Sequence, residues 1–284
     1  MENVEKVDLN KKSELNVEKM TSTMFNLQLK FNNETNGECW VDGVTKEGRV
    51  IDWRNCIVME LAEAVDCFNW KHWKSLDAEF DLENYKVEIV DTWHFIMSEI
   101  IYVARLNTIE THKENGTEFD DAAFEALMTE LGKSISYETF YNGTIENIKK
   151  ELDKENLLLD ITKLLRDQSE TLDKLISHFF AIIAILQEKY NFTFEDMYKL
   201  YIGKNVLNKF RQNNGYKDGT YLKMWPLKIG DPERDVEPTH EDNVFMYDII
   251  TKQPEASFDE LYEALDEMYI KALEKHNESL TDDL

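Results

Sequence analysis

Proline and glycine are scarce in this chain. It holds 4 prolines and 10 glycines among 284 residues, well below the roughly 5% and 7% of ordinary proteins. All four prolines (Pro226, Pro232, Pro238 and Pro254) lie beyond position 225. So little turn material excludes a β-sandwich, a propeller or a glycine-rich nucleotide fold, and favours a mostly helical protein. Positive charge is the second deficit: 32 Lys and Arg against 57 Asp and Glu leave a formal charge of −25. That surface disfavours gripping a nucleic-acid backbone by electrostatics, so no nucleic-acid partner is expected. A phosphorylated small molecule stays open, because divalent cations bridge carboxylates to phosphates. The three cysteines (Cys39, Cys56, Cys67) form no C-x-x-C pair, which argues against a disulfide framework or a zinc site and fits reduced thiols in a cytoplasm. No run of about 18 apolar residues occurs, and the first residues, MENVEKVDLN, are polar. Neither a membrane span nor a secretory signal is expected.

What is present is apolar residue at 42% and charge at 31%, the balance of a globular chain of one or two domains. Met24, Leu27 and Phe31 sit at helical spacing in 20–34, and Gly37, Gly43 and Gly48 punctuate the loop that follows. Apolar periodicity predicts further helices over 53–70, 82–106, 118–131, 145–165, 168–190 and 194–213, and a final one over about 256–275. Residues 226–254 hold every proline and the run DPERDVEPTHED, so they are expected to be a linker or peripheral arm. The expected layout is a polar leader at 1–18, one all-α catalytic domain over 19–225, and an arm with a C-terminal helix at 226–284 packed on the same domain.

Two of these helices carry acids in apolar surroundings. In CIVMELAEAVDCF (56–68) only Glu60, Glu63 and Asp66 are polar. A helix that is apolar nearly all round reads as buried, and a buried carboxylate costs several kcal/mol unless paired or metal-bound. The alternative for any E-x-x-E pair is a solvated face. VEIVDTWHFIMSEII (87–101) repeats the pattern, with Glu88 and Asp91 at i, i+3 and His94 next on that side. If the pairs face each other, four carboxylates converge, and they cannot all stay ionised without cations. Oxygen-only donors select magnesium or manganese over zinc. No E-x-x-H repeat occurs, which argues against a di-iron bundle.

Two further clusters stand out. Trp70 and Trp73, interleaved with Lys71 and Lys74, are either a packed helix end or an aromatic wall for a base beside cations for phosphate. Lys204, Asn208 and Arg211 share a helix face at i, i+4, i+7, and Lys217 follows in a glycine-bearing loop. They are either a solvated basic face or, opposite a metal-loaded acidic site, the rest of a triphosphate cradle.

Together these blocks resemble the dimeric, all-α dUTPases of the all-α NTP pyrophosphatase superfamily, which also holds the MazG-like enzymes. The resemblance runs from about Leu27 to Trp225. It rests on LQLKFNNETNG (27–37), VTKEGRVIDWRNCIVMELAEAVDCFNWKHWK (44–74), VEIVDTWHFIMS (87–98) and YIGKNVLNKFRQNNGYKDGTY (201–221). It implies a helical bundle that hydrolyses dUTP, and dUDP as well, to dUMP. It further implies magnesium, or manganese, as two or more ions held by Glu60, Glu63, Glu88 and Asp91, with Glu60 or Glu63 activating the water. By the same resemblance Gln28 and Asn32 read the uracil edge, and Trp70 or Trp73 and His94 line base and sugar. Lys204, Asn208, Arg211 and Lys217 fall in the motif for sugar and phosphate contacts. The family's homodimer implies self-association, for which the apolar face of 175–186 (LISHFFAIIAIL) is a candidate; the same face could equally be a helix buried in one subunit. The rival readings are a MazG-like pyrophosphohydrolase of broader specificity, a non-catalytic helical nucleotide-binding module, and a purely structural helical protein.

Overall fold

Several helices begin at a polar residue whose side chain satisfies an exposed backbone N–H group. In the computed structural model, which describes residues 17–73, 79–135, 156–167, 171–230 and 239–282, Asp52 accepts the Asn55 N–H and opens α2 (Trp53–Asp66). Asp81 accepts the Asn84 N–H and opens α3 (Leu82–Asn115), which Gly116 closes in the left-handed conformation. Asp120 opens α4 (Asp121–Ser134). Before them stand α1 (Val17–Asn36) and a 3-10 turn, Glu38–Asp42. After them come α5 (Leu157–Asp167) and α6 (Leu172–Tyr190). A reciprocal cap then starts α7 (Phe194–Asn213): Thr193 and Asp196 each bond the other's backbone N–H.

The chain is all-α, with one two-residue antiparallel ribbon among the described residues, β1 (Met224–Trp225) against β2 (His240–Glu241). It divides into two compact units, 14–198 and, among described residues, 199–282. In the first unit, α2 and α3 run antiparallel: Arg54 bonds Glu99 near one end of the pair and Asn84 bonds Cys67 near the other. Contacts between α1 and α3 climb in step, Phe25 on Trp93 and then Asn32 on Ser98, so these two run the same way. Trp93 is fully buried and stacks on Phe179 of α6 at 4.6 Å. The second unit is built on the rest of α7, the ribbon, α8 (Asp242–Lys252) and α9 (Phe258–Asp282). There Trp225 stacks on Phe245 at 5.0 Å, and Tyr221 on Tyr269 at 5.0 Å.

Three expectations change. Residues 226–254 are not all linker: α8 lies within them and buries Phe245, Met246 and Ile249. Proline punctuation at Pro238 and Pro254 hid a helix short enough to fit between them. Helix α2 is not buried all round, since Met59 is 53% exposed and Glu63 and Asp66 face solvent. The apolar face of 175–186 is already covered within the chain, with Leu175, Phe179, Phe180, Ile182, Ile183 and Leu186 all fully buried. The expected helix over 145–165 lies largely outside the described residues, as do Lys74 and most of DPERDVEPTHED.

Candidate functional site

Antiparallel packing of α2 on α3 sets the acids. Register carries Glu60 of α2 to the stretch of α3 that holds Glu88 and Asp91, and one carboxylate oxygen from each lies within 4.8 Å of the others. Glu88 is buried, and Glu60 and Asp91 are half-buried. At that spacing and an effective dielectric of about 20, each pair of negative charges repels by at least about 3 kcal/mol. A cation relieves this. Donor oxygens around a magnesium bonded at about 2.0–2.1 Å lie within roughly 4.2 Å of one another, so three oxygens within 4.8 Å fit it after a small closure. The donor set is all oxygen and therefore hard.

Glu63 falls outside that three-acid group. It lines a cavity of about 370 Å³ that it shares with Glu88, Asp66, Asp81, Asn84 and Lys71. Cys67 also lines the cavity, and burial pushes its thiol up to about 12, so it stays protonated at neutral pH. The cavity thus offers carboxylates, the two amides of Asn69 and Asn84 and one ammonium, the last paired with Asp66. Past the end of α2, Trp70 and Trp73 are 41% and 63% exposed and meet edge to face at 5.7 Å. They are not a packed helix end. The Trp70 indole N–H donates to Asp66 at 3.3 Å, and Lys71 lies over the Trp70 ring.

Further along the same face of α3 lies a buried polar group. Gln28 and Asn32 of α1 are each 2% exposed. The His94 Nδ1 is 2.8 Å from Gln28 Oε1; since that oxygen only accepts, Nδ1 carries the proton. The Gln28 amide N–H₂ donates to Asn32 Oδ1 at 3.3 Å and to Ser98 Oγ at 3.1 Å, and Asn32 donates to Ser98 Oγ at 2.8 Å. The Ser98 hydroxyl donates to the His94 carbonyl, one turn back. Gln28, Asn32 and His94, singled out from sequence, are therefore neighbours. Ser98 was not singled out. Its signal was a hydroxyl one turn beyond His94 in an otherwise apolar stretch.

The basic set belongs to the second unit. Lys204, 2% exposed, donates to Asn243 Oδ1 at 2.9 Å. Arg211 grips the fully buried Asp242 through Nε and Nη2, each at 2.7 Å, and also reaches Asn243 and Asn208. Tyr221 adds its hydroxyl to Asp242 at 2.8 Å, and burial together with that carboxylate pushes the phenol's pKa far up. Lys217 is exposed in the loop after α7. The face is not simply solvated, since Lys204 and Arg211 are buried. Asp242 and Asn243 were missed because the proline-bearing segment around them read as an arm.

A family model described as dUTPase matches residues 20–216, more than half of the chain. The match takes in the three clustered acids, Glu63, the Gln28–Asn32–His94–Ser98 group and the basic face of α7, and ends one residue short of Lys217. No curated protein matches the chain.

Proposed function

Because the chain belongs to the dUTPase family and is accordingly a dUTP diphosphatase, we propose that it also accepts dUDP and works with magnesium or manganese held by Glu60, Glu63, Glu88 and Asp91. The observation that carries the metal reading is the convergence of Glu60, Glu88 and Asp91 within 4.8 Å, inside the matched region. Glu63 joins them in this proposal as the neighbour on the cavity rim. When bound, the cation draws charge from the phosphates and acidifies a water. The chain's own residues do the rest. Glu60 or Glu63 would orient the attacking water and take its proton. Gln28 and Asn32 offer both donor and acceptor to the uracil edge, as that base requires. His94 and Ser98 hold the two amides in one orientation, and Trp70 or Trp73 lines the base. Lys204, Asn208, Arg211 and Lys217 contact the sugar and phosphates and stabilise the departing pyrophosphate.

Pyrophosphate release from dUTP, dCTP, dTTP and UTP, with and without magnesium, tests this. Cytosine presents a donor where uracil presents an acceptor, so a site built for uracil leaves buried amide groups unmatched and rejects dCTP strongly. The expected result is fast, chelator-sensitive cleavage of dUTP and dUDP and slow cleavage of the rest. Equal rates on dCTP and dUTP would turn the assignment towards a broader pyrophosphohydrolase of the MazG kind.

A further inference from the structure

We propose that Asp242 and Asn243, in the first turn of α8 and outside the region shared with the family, are positioning residues that set the side chains of Arg211 and Lys204 for phosphate. The inference rests on the reading of the basic face given above. Three observations carry it. First, Asp242 is fully buried, and its two oxygens take the Arg211 guanidinium in a bidentate fork. A fork of this kind fixes both the plane and the rotamer of a long side chain. Second, the Asn243 amide oxygen accepts from Lys204 at 2.9 Å and from Arg211 at 3.2 Å, so one atom sets the spacing of two cations on α7. Third, the carboxylate is itself held, by the Tyr221 hydroxyl at 2.8 Å and by the Asn243 backbone N–H at 2.9 Å. Long cationic side chains lose much rotamer freedom when they bind an anion, and a side chain already fixed loses less. The two positions differ in charge. A carboxylate at 242 meets the guanidinium, whereas a neutral amide meets the Lys204 ammonium, and a second carboxylate there would compete with an incoming phosphate.

The test uses the full chain with Asn243→Ala and Asn243→Asp, at a half-buried position that carries no charge of its own. Steady-state hydrolysis of dUTP and calorimetric binding of inorganic pyrophosphate with magnesium are measured on each. For Asn243→Ala the expected outcome is about a tenfold rise in KM and in the pyrophosphate Kd, with kcat within a few-fold and a cooperative melt lowered by only a few degrees, since Lys204 and Arg211 each lose one acceptor. Asn243→Asp should weaken both further, and added salt should narrow the gap between the two variants, because their difference is one charge. Unchanged affinity in both variants, or tighter pyrophosphate binding in either, would overturn the proposal while leaving dUTP hydrolysis intact. Absence of dUTP cleavage and of pyrophosphate binding in the unaltered chain would instead overturn the phosphate reading of α7, and this inference with it.

Discussion

A carboxylate is judged by its company. Glu60, Glu88 and Asp91 converge within 4.8 Å, and their mutual repulsion is the physical reason to expect a cation between them. Removing one negative charge from such a site weakens the cation and the charge it withdraws from phosphate together. Glu60→Gln, Glu88→Gln and Asp91→Asn should each lower turnover by more than about 100-fold, beyond the 10–100-fold typical of residues that only support metal ligands. Circular dichroism should stay unchanged in all three, since relief of repulsion does not unfold a helix pair. Near-normal rates in any two of them would sink the metal assignment. Cys67 illustrates the opposite case: a thiol that lines a cavity with Glu88, kept protonated by burial, is chemically quiet.

Helices are placed by small residues as much as by large ones. At Gly132 of α4 a Cβ would lie 2.5 Å from the Ser22 Cα and 2.7 Å from its nitrogen, against backbone of α1 that has nowhere to go. Alanine would gain about 1 kcal/mol of helix propensity and lose about 1–3 kcal/mol to overpacking. Because the clash is with main chain, the loss wins. Gly132→Ala should lower the melting temperature by several degrees, and thermal denaturation checks it. Gly203→Ala, whose nearest contacts are side-chain atoms of Ile250 and Met246 rather than backbone, should cost less. Helix α6 carries a titration signature of its own. Burial lowers the pKa of His178 below the ordinary 6.5, so the folded chain keeps the ring neutral where the unfolded chain protonates. The stabilisation is complete above pH 6.5 and is lost as pH falls through the lowered folded value. Melting temperatures between pH 7 and pH 5 should therefore fall less steeply in His178→Leu than in the unaltered chain.

Across the whole molecule the apolar surface is unevenly spent. The face of α6 that suggested an interface is already buried within the chain, so it is not available for a second copy. Self-association, which we propose from family membership, has to draw on other apolar groups. Val50 at 83% exposure, Met59 at 53%, Leu127 at 45% and Leu106 at 43%, all in the first unit, are such groups. Obligate interfaces are large and core-like. Light scattering at micromolar concentration should then give about twice 33.5 kDa. A monomer with full dUTPase activity would remove the dimer from the account. Among the described residues no helix is long and apolar enough to cross a membrane.

Composition alone determined the all-α class, because four prolines and ten glycines cannot turn many strands. Periodicity determined most helices: it reproduced α7 and the start of α3, which runs on to Asn115 where the apolar pattern predicted an end near 106. Motif spacing along single helices determined which acids could act together: Glu88 and Asp91 are i, i+3 whatever the tertiary structure does. Only packing decided that Glu60, and not Glu63, enters the three-acid group, since this depends on the register of α2 on α3. Packing also decided that α2 shows Met59 to solvent while α6 buries every apolar residue from 175 to 186. Apolar residues on every side of a helix do not say which side meets a partner. The hold of Asp242 and Asn243 on α7 lay furthest from sequence, because residues 31 and 39 positions apart share no period, and only the folded chain brings them within a hydrogen bond.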